Sequence, residues 1–256
     1  MSSSDPLLQA RLLREAEFHD TKYGGGDLYP RHYAAWPMQQ VYSELRAALG
    51  DLSGKRVLEY GCGEGWITRD LARLGGEVWA FDISLQAVEN TRRILGDAQL
   101  QERCTVGVMP AENLAYESES FDVALGFAIL HHLDLAKSLA ELHRVLKPGG
   151  IAYFAEPLAG NPLIRLYRRL TPQFRTADEQ PLDLKRLPRL LGAFSRHEHR
   201  EYYLTALGAV ALTYLPGGAR VFPAVSGPLH RLDRTLLNAL PALGGWAWYT
   251  VLKVVK

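Results

Sequence analysis

Val57-Leu58-Glu59-Tyr60-Gly61-Cys62-Gly63-Glu64-Gly65 is the stretch that decides the fold. It opens as an apolar run, which suits a strand buried on both faces. Three glycines at alternate positions then break the run. Ile67, Leu71 and Leu74 recur at helical spacing after them, and Gly75 ends the helix. The pattern predicts a strand, a tight glycine turn and a helix. Glycines at the turn let the backbone approach a ligand closely, and the helix start offers unpaired N–H groups. Glu59, at the strand end, can accept hydrogen bonds from an amine or from hydroxyls. Asp82 follows the next strand-like run, Glu77 to Phe81, where a carboxylate is placed to hold both hydroxyls of a ribose.

Working outward, strand and helix alternate from residue 55 to 156. Ser84 is the expected N-cap of a helix whose buried face is Ala87, Val88, Thr91 and Leu95. Further strands are expected at Thr105–Val108, Phe121–Phe127 and Ile151–Ala155, the last preceded by a turn at Lys147-Pro148-Gly149-Gly150. Right-handed crossovers between such units build a doubly wound α/β sheet. Ligands bind such sheets beyond the strand C-termini. Strands six and seven are expected at His197–Thr205 and Trp246–Val255, with a helical, apolar insertion over 206–243 between them.

The segment Glu59-Tyr60-Gly61-Cys62-Gly63-Glu64-Gly65 resembles the first motif of the class I S-adenosylmethionine-dependent methyltransferases, an acidic residue, any residue, then G-C-G-x-G. The strand–x–L–H–H–L run around Leu130-His131-His132-Leu133 and the K-P-G-G turn match the small-molecule branch, similar to the methyltransferases of ubiquinone and menaquinone biosynthesis. The resemblance covers residues 50–156 well and the ends loosely. It implies a seven-stranded, mostly parallel Rossmann-like sheet in a single domain. An N-terminal helical lid would span 1–50, a cofactor-binding core 51–156, and cap segments with the last strands of the same sheet 157–256. It implies S-adenosyl-L-methionine as cofactor and S-adenosyl-L-homocysteine as product. The cofactor-binding candidates are Glu59, Gly61, Cys62, Gly63, Asp82, Ile83, Ala111, Glu112, Phe127 and, from the lid, Tyr23; in relatives an acidic or polar residue at the place of Glu112 meets the adenine amino group. Two rivals remain. A nicotinamide-dinucleotide fold would want G-x-G-x-x-G, and Trp66 stands where its third glycine belongs. A methyltransferase-like module that only binds a partner is the other.

Composition narrows the partners. The 256 residues carry a net charge of +1, which is no nucleic-acid footprint. Asn/Asp-Pro-Pro-aromatic is absent after strand four, which argues against DNA or protein-amide methylation. The two cysteines, Cys62 and Cys104, follow no metal-ligand spacing, so reduced thiols in the cytoplasm and no metal are expected. Residues 1–20 carry Asp5, Glu15 and Asp20 and do not read as a secretory signal, and no apolar run is long enough to span a bilayer.

The flanks are where an acceptor would be chosen. Residues 6–20 fit an amphipathic helix with Leu8, Leu12 and Ala16 on one stripe, followed by a glycine-rich, aromatic stretch. His19, Tyr23, Tyr29 and Tyr33 there either close the site or cover a hydrophobic edge. Residues 161–200 hold nine Lys or Arg against four Asp or Glu. Arg165 and Arg168 are substrate-binding candidates for an anionic group or a lipid surface, or else a solvated face paired with Asp178 and Glu179. The 206–243 insertion is more core, a greasy pocket wall, a homodimer face or a peripheral membrane contact. The expected partner is thus a small, lipophilic acceptor, methylated at oxygen first and carbon next. The candidate bases are His132, then Glu156 and His131.

Overall fold

The computed structural model describes residues 5–25 and 37–256, with the side chains of 37–39 left aside. Tyr29 and Tyr33 therefore lie outside the described residues. Helices α1 (Pro6–Tyr23) and α2 (Pro37–Leu49) precede strand β1 (Arg56–Tyr60). Then follow α3 (Trp66–Arg73), β2 (Glu77–Asp82), α4 (Leu85–Asp97), β3 (Cys104–Val108), β4 (Phe121–Phe127), α5 (Leu135–Val145) and β5 (Leu146–Pro157). The remainder holds α6 (Pro162–Leu170), β6 (Arg196–Tyr202), α7 (Gly218–Ala239) and β7 (Tyr249–Val255), with short turns of helix between them.

The strands form one seven-stranded sheet in the order β3-β2-β1-β4-β5-β7-β6. The first five run parallel, while β7 is antiparallel to both β5 and β6. Strand order reverses between β1 and β4, which opens a crevice at their C-terminal ends. Two apolar clusters, one on each face, explain why these strands read as apolar runs. Val57, Leu71, Val78, Val88 and Leu125 belong to one; Leu58, Tyr60, Phe81, Ala124 and Phe154 belong to the other.

The glycine turn shows why its residues are what they are. Gly65 has φ +81°, and a Cβ there would lie 2.6 Å from the Thr91 Cα of α4. No side chain fits that approach, so Gly65 sets how closely α3 and α4 pack. Ser84 caps α4 by accepting the Ala87 N–H at 3.0 Å, and the buried residues of α4 are Ala87, Val88, Thr91 and Leu95 as expected.

Three boundaries differ from expectation. Lys147 to Gly150 lies inside β5, not ahead of it; the register with β4 shifts between Phe121 and Val123, and Gly149 takes φ +74°. The four residues form an irregularity that lets the strand begin at Leu146. Strand β6 stops at Tyr202 because Tyr203 turns to φ +64° and the Leu204, Thr205 and Ala206 N–H groups all donate to the buried Asp233 carboxylate of α7. The same contact anchors the insertion. Its Phe222 and Val210 join the core, whereas Val221, Val225 and Leu232 stay exposed. Lastly, β7 starts at Tyr249, after a 3-10 turn over Pro241–Trp246. No described helix is long and apolar enough to cross a membrane.

Candidate active site

A cavity lies over the crevice. Its floor is the set of strand ends: Gly61 after β1, Asp82 at the end of β2 with Ile83 next, Ala111 and Glu112 after β3, and Phe127 at the end of β4. Its roof is α1, which contributes Leu12, Glu15, His19, Lys22 and Tyr23. Helix α1 is tied down at both ends. The Asp20 carboxylate accepts the Ser84 hydroxyl (2.5 Å) and the Gln86 N–H (3.1 Å), and Asn90 donates to the Tyr23 carbonyl (3.0 Å). At the other end Arg11 donates to the His132 carbonyl and Arg14 forks onto Asp178 at 2.8 and 3.0 Å.

Three carboxylates shape the floor. Asp82 accepts the Gly63 N–H through Oδ2 (3.0 Å) and the Ser84 N–H through Oδ1 (3.0 Å), which locks the glycine turn to the start of α4. Each oxygen keeps a second lone pair, and Asp82 faces the cavity. Glu112 accepts the Asp134 N–H with Oε1 (2.9 Å), while its buried Oε2 has no partner. Burial raises its pKa. Glu59 lies beneath the floor, not in the lining, 1% exposed, with neither carboxylate oxygen making a hydrogen bond of ordinary geometry. Burial is the largest cause, with the Asp82 charge adding to it and the Thr68 hydroxyl opposing it, of a pKa pushed up to about 8. Buried carboxylate oxygens without donors are costly, and a ligand donor would relieve them.

The other cofactor-binding candidates separate. Tyr23, Ile83, Ala111, Phe127 and Gly61 line the cavity; Cys62 and Gly63 do not. The Cys62 side chain is packed in the core, and burial pushes its thiol well up. The Gly63 N–H is taken by Asp82, and a Cβ on Gly63 would meet the Tyr23 hydroxyl at 3.0 Å. Their part is to shape the turn.

Of the three candidate bases only His132 lines the cavity. Glu156 is fully buried behind it and accepts the N–H groups of Ile129 (2.9 Å) and Leu130 (2.8 Å) and pairs with His131 Nδ1 (2.7 Å). Burial pulls the His131 pKa down, but Glu156 and Glu179 outweigh it and lift it to about 9. This is a buried ion pair that fixes the loop after β4, so neither Glu156 nor His131 is placed to take a proton from a bound acceptor. His132 is pushed down to about 3, first by burial and then by the charged His131 beside it, against the hydrogen bond to Glu15. It stays neutral, and so low a proton affinity suits a hydrogen-bonding role better than that of a base.

His19 was expected to close the site or cover an edge, and Glu15 was not singled out; both are the buried residues of α1, whereas Leu8, Leu12 and Ala16 are half-buried. Glu15 pairs with His132 Nδ1 (3.0 Å), lies 3.5 Å from His19 Nε2 and accepts the Thr176 hydroxyl (2.5 Å). Burial would raise its pKa, but the hydrogen bonds from His132 and His19 hold it well below the usual carboxylate range. Glu179 joins the cluster at 3.4 Å from His132 Nε2 and is itself paired with Arg168 at 2.6 Å. Ligand-capable atoms of Glu15, His19 and His132 lie within 4.8 Å of one another, and so do those of His131, His132 and Glu179. Sequence spacing gave no hint of either set. Within these sets His132 and Glu15 are joined by a hydrogen bond, and the remaining histidine–carboxylate contacts are 3.4–3.5 Å. Arg165 and Arg168, expected at the substrate, do not line the cavity. Arg168 is spent on Glu179, and Arg165 is exposed on α6.

Residues 58–154 match a family model described as a methyltransferase domain. A dimethylglycine N-methyltransferase of Parasynechococcus marenigrum (strain WH8102) is 36% identical over 155 residues, 57% of this chain and 55% of the relative. A ubiquinone/menaquinone biosynthesis C-methyltransferase of Geobacter sp. (strain M21) is 29% identical over 173 residues, 66% and 64% of the two chains. The chain thus spans between half and two thirds of the length of these curated relatives. Among solved structures, geranyl diphosphate C-methyltransferase from Streptomyces coelicolor A3(2), bound to Mg2+, a substrate analogue and S-adenosyl-L-homocysteine, superposes with a TM-score of 0.62 over 85% of this chain and 76% of that one, at 14% identity.

Proposed function

We propose, from the match of residues 58–154 to a methyltransferase domain, that this chain binds S-adenosylmethionine and transfers its methyl group to a small, lipophilic molecule, at oxygen or carbon. The observation that carries the reading is the pattern of unmet acceptors along the floor. Glu59 has no donor, Asp82 keeps free lone pairs and Glu112 Oε2 has no donor. An α-amine, a ribose diol and an adenine amino group would supply donors to these three in turn. When bound, the cofactor supplies a methyl group on a positively charged sulfur.

The protein's own share is alignment and dryness. Helix α1 roofs the cavity, and held alignment can be worth ~7–11 kcal/mol. Neutral His132, its Nδ1–H donating to Glu15, can accept a hydrogen bond from an acceptor's hydroxyl through Nε2. His132→Ala is expected to lower kcat about tenfold, the worth of one hydrogen bond. The wild-type rate should show no inflection from this histidine near pH 6.5. A pH–rate profile with a pKa of 6–7 that vanishes in His132→Ala would instead make it the base.

Glu59 gives the reading a pH signature. Below about pH 8 it is protonated in the free protein, so binding an ammonium group expels a proton. Affinity for S-adenosylmethionine should rise with pH up to about 8, by up to about tenfold per unit. In the free fold the raised pKa costs stability as pH climbs from the ordinary carboxylate value to about 8. Glu59→Gln should therefore melt higher than wild type at pH 7.5 yet bind the cofactor more weakly and without the pH slope. Titration calorimetry and thermal unfolding read both. The methyl-transfer reading itself is tested by incubating the protein with methyl-labelled S-adenosylmethionine and a panel of phenolic, quinol and isoprenoid acceptors. Label should enter at least one; cofactor turnover with none of these classes would set the lipophilic acceptor aside.

A further inference from the structure

Helix α6 is nine residues long and lies outside the site. Leu163, Leu166 and Leu170 fall on one stripe of it and are 67%, 54% and 71% exposed. Ile164 packs against the core, so the leucines are not its inward face. Beside them on the solvent side stand Arg165 and Arg169, both exposed, with no ion pair or hydrogen bond among the described residues. The start of α6 is fixed by Asn161, which accepts the Leu163 and Ile164 N–H groups and donates to the Trp246 carbonyl at 2.6 Å. The Trp246 side chain next to it is 61% exposed. A short rigid helix thus carries three leucines and two unpaired guanidinium groups outward, with a tryptophan at its root.

Exposed leucines in a row cost solubility unless something covers them. Guanidinium groups flanking them fit an anionic, water-facing boundary above hydrocarbon, where the leucines enter and the arginines reach phosphates. A tryptophan suits the same depth. We propose that α6, with Trp246, seats this protein on an anionic lipid bilayer. The opposite flank of α6 reaches the cavity wall: Arg168 holds Glu179, which lies against His132. Seating on the bilayer therefore sets the cavity beside the phase in which a lipophilic acceptor dissolves. The membrane contact goes beyond the methyl-transfer reading and does not depend on it, since vesicle binding is measured with no cofactor present.

The test is flotation of the full chain with vesicles of phosphatidylcholine alone or with added phosphatidylglycerol. Binding is expected only with the anionic lipid, and it should weaken as salt rises. Arg165→Ala and Arg169→Ala should each weaken it about fivefold, the worth of one basic residue at such a surface. Leu163→Ser/Leu166→Ser should reduce it at least tenfold with melting temperature unchanged. Absence of binding to either vesicle, or binding indifferent to these changes, overturns the proposal. Self-association that the leucine changes abolish also overturns it, because the patch would then face a second copy. A variant that misfolds is replaced by Leu170→Ser, near the helix end.

Discussion

Glu156→Ala is expected to lower the stability of the fold by about 3–5 kcal/mol, the cost of breaking a buried pair and stranding its partner. The carboxylate is wholly buried and serves Ile129, Leu130 and His131 together. Alanine takes the acceptor from the Ile129, Leu130 and His131 N–H groups and leaves the His131 histidinium with Glu179 alone as counter-charge. At roughly 2–4 °C per kcal/mol for a chain of this size, the melting temperature should fall by about 6–20 °C. The pH dependence carries a sign. The His131 pKa is raised to about 9, so its contribution is full below its ordinary value and lost as pH rises through 9. The gap between wild type and variant should narrow there. A Glu156 that acted as a base would give the opposite outcome, an unchanged melting curve with a collapsed rate.

Asp82→Ala should weaken S-adenosylmethionine binding at least about 100-fold. Hydrogen bonds to a charged group are worth about 1.5–3 kcal/mol each, and a ribose diol would make two. The change also frees the Gly63 and Ser84 N–H groups, so some stability, about 1–3 kcal/mol, should go with it. Asp82→Asn, which keeps the side-chain size and one acceptor, should fall between. Calorimetry at a temperature well below the lowered melting point separates lost affinity from lost fold. Unchanged affinity in both variants would mean that the ribose is held elsewhere.

The strand–turn–helix units that frame the candidate site are local in sequence and were legible in it. Glu59, the glycines and Asp82 belong to two neighbouring strand–turn–helix units, and elementary backbone sterics limit what such a turn can be. What lies far apart in the chain was not. Glu15 and His132 are 117 residues apart, and on α1 the periodicity of leucines hides the fact that a glutamate and a histidine face inward. Polar residues are buried here because they satisfy one another, and single-chain periodicity cannot show a partner. Glu156 failed for a related reason. Standing past β5 at the active edge, it has the position of a base, but the loop after β4 folds back and claims its oxygens. For Arg168 the sequence left open an anionic ligand or a partner such as Glu179, and Glu179, 11 residues on, holds it. The Lys147–Gly150 stretch has the composition of a turn, yet β7 and β4 pair around it and draw it into the sheet.

The central claim is that the cavity beneath α1 is built for an adenosyl group with a free amine. Titration calorimetry of the wild-type protein with S-adenosylmethionine at pH 8, set beside the same titration with reduced nicotinamide dinucleotide, tests it most directly. Saturable one-to-one binding of the first and none of the second is expected. Silence with S-adenosylmethionine, or heat from the nicotinamide nucleotide alone, would contradict it.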